Sequence, residues 1–449
     1  MKKLMYVAIL ALGVVVMMAP PVMAQDEKPF TLHGEVRFRG EYDSNVEDFD
    51  DNGAADDAGG FWPYRVRIAA EGKFGKNITA WMEFQNAGVA GGDFSPIKDG
   101  SGEGGVLGPD LGNQAQLYQG NITIDGLWWK EFSVRLGRQE IVAGNELLLG
   151  DLDFYAGLSH DGMTGSFKVK KGNVMLWFTR PFQGSVDPLQ ANFLPPDQID
   201  FTSGGFTENF YGVYTTWNIP LNSTLDGYVM NLKAHGASVT FDVMTLGVRW
   251  GKDVTNKNGL FWNIEAAQQS GDANATEDAA GTVMEGWIGW NFKAGKNNHR
   301  VYGRLASASG DDDATDSDDN TFIPMFGDFH NRLGHGDWFQ LDGTSTSMGL
   351  SSVADLGIAA TALGWNGRFG DRHELGAELW SYTTDKENVA GDDKLGSAVD
   401  VWYNYNFSKN LVFSASLSQF SPDDLLTGTV APVFDDTVTR LYGNARLRF

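Results

Sequence analysis

The sequence predicts an all-β protein, a transmembrane antiparallel up-and-down β-barrel, and three observations carry that reading. Long segments alternate with period two. In residues 31–42, Leu32, Gly34, Val36, Phe38, Gly40 and Tyr42 fall on one face, and Thr31, His33, Glu35, Arg37, Arg39 and Glu41 on the other, which is the side-chain period of a strand. The connections alternate between short and long, as in outer-membrane barrels with short periplasmic turns and long external loops. After an N-terminal apolar run, no stretch of ~18 apolar residues remains, so no helix of the mature chain spans a bilayer.

The elements follow in order. Met1-Lys2-Lys3 is a short basic start, Leu4 to Val16 is apolar, and Val22-Met23-Ala24 precedes Gln25-Asp26. This is the layout of a cleavable secretory signal, so residues 1–24 read as a signal peptide and 25–449 as the barrel. Cleavage would remove Lys2 and Lys3 and move the net charge from -24 to -26. Strands are predicted over 30–42, 62–74, 78–86, 114–124, 132–139, 162–170, 173–180, 208–218 and 224–232. Nine more follow over 239–250, 260–269, 282–292, 299–308, 356–369, 373–382, 398–407, 411–420 and 437–449. Tyr64, Val66 and Ile68 oppose Arg65, Arg67 and Glu71; Ile288, Trp290 and Phe292 oppose Glu285 and Asn291; Val401, Tyr403 and Tyr405 oppose Asp400, Asn404 and Asn406. Segments of ~10 residues with aromatic ends suit membrane strands better than a soluble sandwich. Eighteen is even and returns both termini to one side; sixteen is the alternative, because 224–250 is the least regular stretch. The last strand ends on Phe449, which resembles the assembly signal of outer-membrane barrels.

Composition narrows the function classes. There is no cysteine, hence no disulfide framework, thiolate metal site or cysteine nucleophile. An excess of 58 acidic over 34 basic residues opposes nucleic-acid binding, which needs clustered Lys and Arg. Fourteen Trp and 29 Phe oppose disorder. No phosphate-binding loop, dinucleotide fingerprint or zinc-protease motif is present, and an enzyme is not expected. Ser159-His160-Asp161 cannot relay a proton, because adjacent strand residues point to opposite faces.

The arginines point to the lumen. All but Arg332 and Arg372 lie in or at the end of a predicted strand, mostly on its polar face, and a charge at the lipid midplane costs ~2–4 kcal/mol. The predicted lining is Arg37, Arg39, Arg65, Arg67, Arg135, Arg249, Arg300, Arg304, Arg440, Arg446 and Arg448. Arg138 has the outward parity of Val134 and Leu136, so either a bulge at Gly137 turns it inward or it stands above the membrane. Guanidinium groups pair with carboxylate or phosphate in a fork geometry, and charged rings set channel selectivity. The expectation is a conduit for anionic solutes or acidic oligomers. Luminal Glu35, Glu41, Glu71, Glu83, Glu265, Glu285, Glu374, Glu378 and Asp400 offer the competing role of simply bracing the arginines. The acidic excess itself sits in the long loops. There Asp48, Asp50 and Asn52 resemble the start of a calcium loop, but Gly59 stands where a calcium loop ends on Glu. Asp311 to Asn320 is similarly oxygen-rich and suggests calcium in the acidic loops. His330, His335 and Asp337 offer a set of zinc-binding types.

Several short motifs, in a consistent order, resemble the alginate export family of outer-membrane proteins. They are Val134-Arg135-Leu136-Gly137-Arg138-Gln139-Glu140, Leu148-Leu149-Gly150-Asp151, His160-Asp161-Gly162, Ser307-Ala308-Ser309-Gly310-Asp311, Phe322-Ile323-Pro324-Met325-Phe326-Gly327-Asp328 with His330, and Ser418-Gln419-Phe420-Ser421-Pro422. The resemblance implies a monomeric eighteen-stranded barrel with an arginine-rich lumen, and passage of an acidic polysaccharide in the founding member. Carried over, the Gly-Arg-Gln turn is Gly137, Arg138 and Gln139, and the loop motif is Phe326, His330 and Asp337; Ala398 departs from the acidic residue expected there. The expected location is the bacterial outer membrane. The expected partners are its lipid and lipopolysaccharide, anionic small solutes or acidic polysaccharide, and the barrel-assembly machinery, with no nucleic acid. The alternative is a structural or adhesive barrel with cation-binding acidic loops. The long loops near 87–112 and 309–352 are expected to plug the mouth.

Overall fold

The computed structural model describes residues 30–45, 59–90, 115–181, 207–236, 239–254, 257–311, 313, 315–341, 354–388, 391–423, 425–426 and 436–449. Its long strands are β1 Phe30–Ser44, β2 Pro63–Phe74, β3 Ile78–Val89, β4 Gln116–Asp125, β5 Phe132–Gln139, β6 His160–Val169, β7 Gly172–Pro181, β8 Thr207–Ile219 and β9 Ser223–Gly236. They continue as β10 Val239–Lys252, β11 Gly259–Asp272, β12 Thr282–Ala294, β13 Asn297–Ala308, β14 Ile358–Phe369, β15 His373–Thr383, β16 Lys394–Asn406, β17 Leu411–Pro422 and β18 Val438–Arg448. Each falls on a predicted segment, including the two within 224–250, so the sixteen-strand alternative is set aside.

Sequence neighbours pair antiparallel, and β18 returns to β1 from Glu35↔Arg448 to Ser44↔Thr439. The sheet is therefore closed and leaves no free edge. Phe449 extends the seam: Gly34 donates its N–H to the Phe449 carbonyl at 2.8 Å, and Phe449 donates back at 3.0 Å. The Phe449 ring lies over Gly34, where a Cβ would come within 2.5 Å of it.

The period-two faces explain the wall. Glu35, Arg37, Arg39 and Glu41 are buried, whereas Val36, Phe38 and Tyr42 are 43%, 44% and 46% exposed. The exposed apolar face is the lipid face. Aromatic side chains such as Trp129, Trp217, Trp250, Trp290, Phe369 and Phe407 stand near the short turns, where amphipathic rings suit the membrane interface. One connection breaks the alternation: only residues 237–238 separate β9 from β10 on the long-loop side.

The interior is filled from one end. Leu147, Leu148, Leu149 and Leu158 from the β5–β6 connection, and Phe322, Met325, Phe326, Phe329, Trp338 and Phe339 from the β13–β14 connection, pack on inward-facing Phe210, Met230, Val243, Tyr382 and Phe420. The two connections also pair with each other, Gly150 N–H to the Phe326 carbonyl at 2.6 Å and Phe326 N–H to the Leu148 carbonyl at 3.1 Å. Each fully buried Leu, Phe or Met contributes roughly 1.5–3 kcal/mol, so the plug has a core of its own. Part of the expected plug, 309–352, does enter the lumen, over 321–341. Residues 91–112 of the other expected plug lie outside the described residues, and the β5–β6 connection was not anticipated.

Candidate functional site in the lumen

Two walls of the lumen differ. On the wall formed by β1, β2 and β18, the arginines are covered by residues 153–156 of the inward β5–β6 loop. Arg37 donates to the carbonyls of Asp153 at 2.8 Å and Tyr155 at 2.6 Å. Arg65 pairs with Glu35 at 2.6 Å and with the Asp153 carboxylate at 2.6 Å. Arg67 reaches Asp153 at 3.0 Å and donates to the Ala156 carbonyl at 2.8 Å. Arg39 binds Glu41 at 3.0 Å and stacks 3.7 Å from the Phe154 ring centre. Arg448 pairs with Glu35 at 2.9 Å, and Arg440 with Asp43 at 2.7 Å. The free space among Arg37, Arg39, Phe154 and Tyr155 is about 10 Å³, about one water.

Register explains why this wall needs its own anion. Arg37 lies directly opposite Arg446 on β18 and Arg65 on β2, and like charges directly opposite are destabilising. Among the described residues, neither Arg37 nor Arg446 has a carboxylate within 4.0 Å. Burial pushes the Asp153 carboxyl up, but Arg65 and Arg67 outweigh it and hold it well below the usual carboxylate range.

On the wall of β11 to β16, the lumen stays open. Arg300 pairs with Asp253 at 2.5 Å, Arg304 with Glu378 at 3.3 Å and Glu285 at 3.7 Å, and Arg368 with Glu374 at 3.4 Å. Three cavities of about 200, 390 and 240 Å³ adjoin here. The first two share Arg300, Asn366 and Glu374; the second and third share Trp287 and Arg304. Phe261, Trp287, Trp402 and His335 add ring faces to the largest. The open path thus combines guanidinium groups, carboxylates and aromatic faces.

The remaining lining residues are placed as follows. Arg249 is held by Asp226 at 2.5 Å and donates to Asn263 at 2.8 Å. Among the described residues, Arg135 reaches only the Glu140 carbonyl, at 3.4 Å. The motif residues brace the barrel. Gln139 is fully buried, donates to the Gly137 carbonyl at 3.1 Å and accepts from Thr164 at 2.8 Å. Gly137 has φ 117°, and a Cβ there would lie 2.3 Å from the Gly120 carbonyl, so only glycine fits. Of the two readings for Arg138, the bulge is corrected: β4, β5 and β6 run through Gly137 without a register shift. Arg138 stays outward next to the β5 end and is neutralised by Asp161, with two contacts of 2.8 Å.

Phe326 packs against His160 and Phe210 at ring distances of 5.3 and 4.8 Å. His330 binds Asp337 at 3.1 Å and stacks 4.0 Å from Phe154, joining the two inward loops. The zinc reading is corrected: His335 turns away to Tyr442 at 3.2 Å and stacks on Trp402. Asp48, Asp50 and Asn52 lie outside the described residues. At Asp311–Asn320 the structure shows Asp318–Asp319 paired with Asp278–Ala279 as a short parallel ladder.

The sequence did not single out Asp153, Phe154, Tyr155, Arg332 or Trp338 as functional. Arg332 binds Glu285 at 2.6 Å. The available signal was aromatic residues within acidic, glycine-rich loops. Where the inward loops meet, carboxylate oxygens of Glu146, Asp151 and Asp328 all lie within 4.8 Å of one another. No other three potential metal-ligating groups converge so closely among the described residues. Burial pushes Asp151 up to about 7, helped by Asp153, Glu140, Glu146 and Asp328; burial also raises Glu146 and Asp328.

Known proteins bear on this geometry in two ways. Solved structures share the fold: Pseudomonas aeruginosa OccK9 (OpdG), with TM-score 0.61 and 13% identity over 94% of this chain and 98% of that one; P. aeruginosa OccK2 (OpdF) in complex with glucuronate, 0.56 and 10% over 94% and 98%; and a BenF-like porin from Pseudomonas fluorescens Pf-5, 0.57 and 11% over 94% and 99%. No curated protein matches the sequence. The alginate export family model matches residues 28–431. With that match on a closed barrel whose lumen is polar and partly open, the chain belongs to the alginate export family and is an outer-membrane channel, not an enzyme.

Proposed function

We propose that this channel passes anionic solutes, small carboxylates and acidic oligosaccharides among them, by passive diffusion through an arginine-lined lumen. The observation that carries this reading is the row Arg446–Arg37–Arg65, three guanidinium groups opposite one another with a deficit of carboxylates along the row. Arg300, Arg304 and Arg368 along the open wall extend positive charge through the path. The glucuronate bound by P. aeruginosa OccK2 is a solute of the same chemical class on a similar fold. In the same reading, residues 1–24 are removed on export, the barrel-assembly machinery inserts β18 against β1, and the lipid face contacts outer-membrane lipid and lipopolysaccharide.

The test is the reversal potential of the refolded protein in a planar bilayer under a KCl gradient. A shift toward the chloride potential is expected, and Arg446→Glu should reduce it. A potassium-selective pore would mean that the luminal carboxylates outweigh the arginines, and the anion reading would fall. A barrel without conductance under any condition would return the structural or adhesive alternative.

A further inference from the structure

Residues 153–156 contact the arginine wall in the manner of a bound ligand. One carboxylate and a run of backbone carbonyls face a set of guanidinium groups from three strands. Asp153 Oδ1 lies 2.6 Å from Arg65 Nη1 and 3.0 Å from Arg67 Nη1, and Oδ2 lies 3.7 Å from Arg448 Nη2. The carbonyls of residues 153, 154, 155 and 156 accept from Arg37, Arg39 and Arg67. The row Arg446–Arg37–Arg65 holds no carboxylate of its own, whereas Arg448 and Arg67 lie opposite Glu35. The guanidinium fork is suited to a carboxylate in this geometry.

We propose that the arginine cradle of β1, β2 and β18 is a carboxylate-binding site that the channel's own loop occupies, with Asp153 standing where a solute carboxylate would bind. This rests on the anion reading above and deepens it: solute and loop compete for the same guanidinium groups, so the permeating anion itself releases the plug. The loop is built to leave. Its closest approach depends on Gly157, where a Cβ would meet Arg67 Nη2 at 2.4 Å and Tyr118 Oη at 2.5 Å. Around Arg37, Arg39, Phe154 and Tyr155 it seals about 10 Å³, so a solute carboxylate enters only when the loop moves. A dicarboxylate is the favoured ligand class, because Arg37 and Arg446 give a second cationic point beside the Asp153 position.

The experiment uses the full barrel in planar bilayers, with glutarate as the probe. Asp153→Asn keeps the shape of the side chain and removes the competing charge. Openings should become about tenfold more frequent, and glutarate should interrupt the current at about tenfold lower concentration, a change of one decade in affinity. Unchanged openings and unchanged glutarate sensitivity would overturn the proposal. A second variant covers a folding failure of the first. Ala87 and Ala156 pack together on the wall and the loop, and the chain has no cysteine, so Ala87→Cys with Ala156→Cys places a single disulfide between them. Oxidation should abolish the glutarate response and reduction should restore it; a response indifferent to oxidation would overturn loop displacement. The reversal potential of the unmodified channel separately decides the anion reading. A chloride-selective channel whose glutarate response ignores both changes would sink the competition alone.

Discussion

The arginines of β1, β2 and β18 and those of β11 to β16 face one lumen, yet they are used differently. On the first wall Arg65 is fully buried and Arg37, Arg39 and Arg67 are nearly so. Each is held by a carboxylate or by loop carbonyls at fixed distances. On the second wall Arg300 and Arg368 keep 32% and 48% of their side chains exposed beside open space. The same residue type at the same strand parity is therefore a clamp where residues 153–156 lie over it and part of a passage where they do not. What separates the walls is the cover supplied by residues 153–156, which sit more than a hundred positions from Arg37 and Arg39 in the chain.

Breaking the clamp should have the largest effect. Arg65→Ala leaves Glu35 and Asp153 short of a partner in a buried site, which costs about 3–5 kcal/mol. Guanidinium unfolding of the refolded barrel should show that loss, and digestion by added protease should cut residues 140–159 far faster. Gly157→Val comes next: the added side chain meets Arg67 and Tyr118, and overpacking costs about 1–3 kcal/mol. The midpoint of unfolding should fall less than in Arg65→Ala while loop cleavage still rises. On the open wall, Arg368→Gln should alter stability by at most about 1 kcal/mol, since exposed pairs such as Arg368–Glu374 contribute little. It should instead move the reversal potential toward potassium. Equal stability losses at Arg65 and Arg368 would erase the distinction between the walls.

A pH series sharpens the same comparison with the smallest effect. Asp153 is held below its ordinary value, so its contribution to loop docking is present above about pH 4 and is lost as pH falls below that. Asp151 is raised to about 7, so docking is favoured at low pH and lost as pH climbs through 7. Openings should be rarest near pH 4, rise as pH climbs to about 7 and level off above it. In Asp151→Asn the rise between about pH 4 and 7 should vanish, and single-channel recording from below that range to above it reads both limbs.

The walls were legible in the sequence because a strand has only two faces. Glu35, Arg37, Arg39 and Glu41 could be placed inside from alternation alone, and every long strand followed from the same rule. The loop that divides the walls was not legible. Asp153 meets Arg65 across 88 positions and Arg448 across nearly three hundred, and no periodicity relates such partners. Arg138 shows the same limit: its parity was read correctly, but its neutralisation by Asp161 depends on which strands are neighbours. Of the motif residues, Gln139 and Gly137 serve the wall, whereas Phe326 and His330 serve the plug. The order of motifs marked the family without marking those roles.

The seam between β1 and β18 sets a timetable for the chain. Glu35 and Arg448 are 413 positions apart, so the first strand made has no partner on that side until the final one has been synthesised. Closing so long a segment carries an entropic cost of about 5 kcal/mol, and an unpaired strand edge invites pairing with other chains in the interval. A newly exported chain must therefore be kept from its neighbours for the whole of its translation and transit, and a chain truncated before β18 would remain an open, sticky sheet rather than a smaller pore.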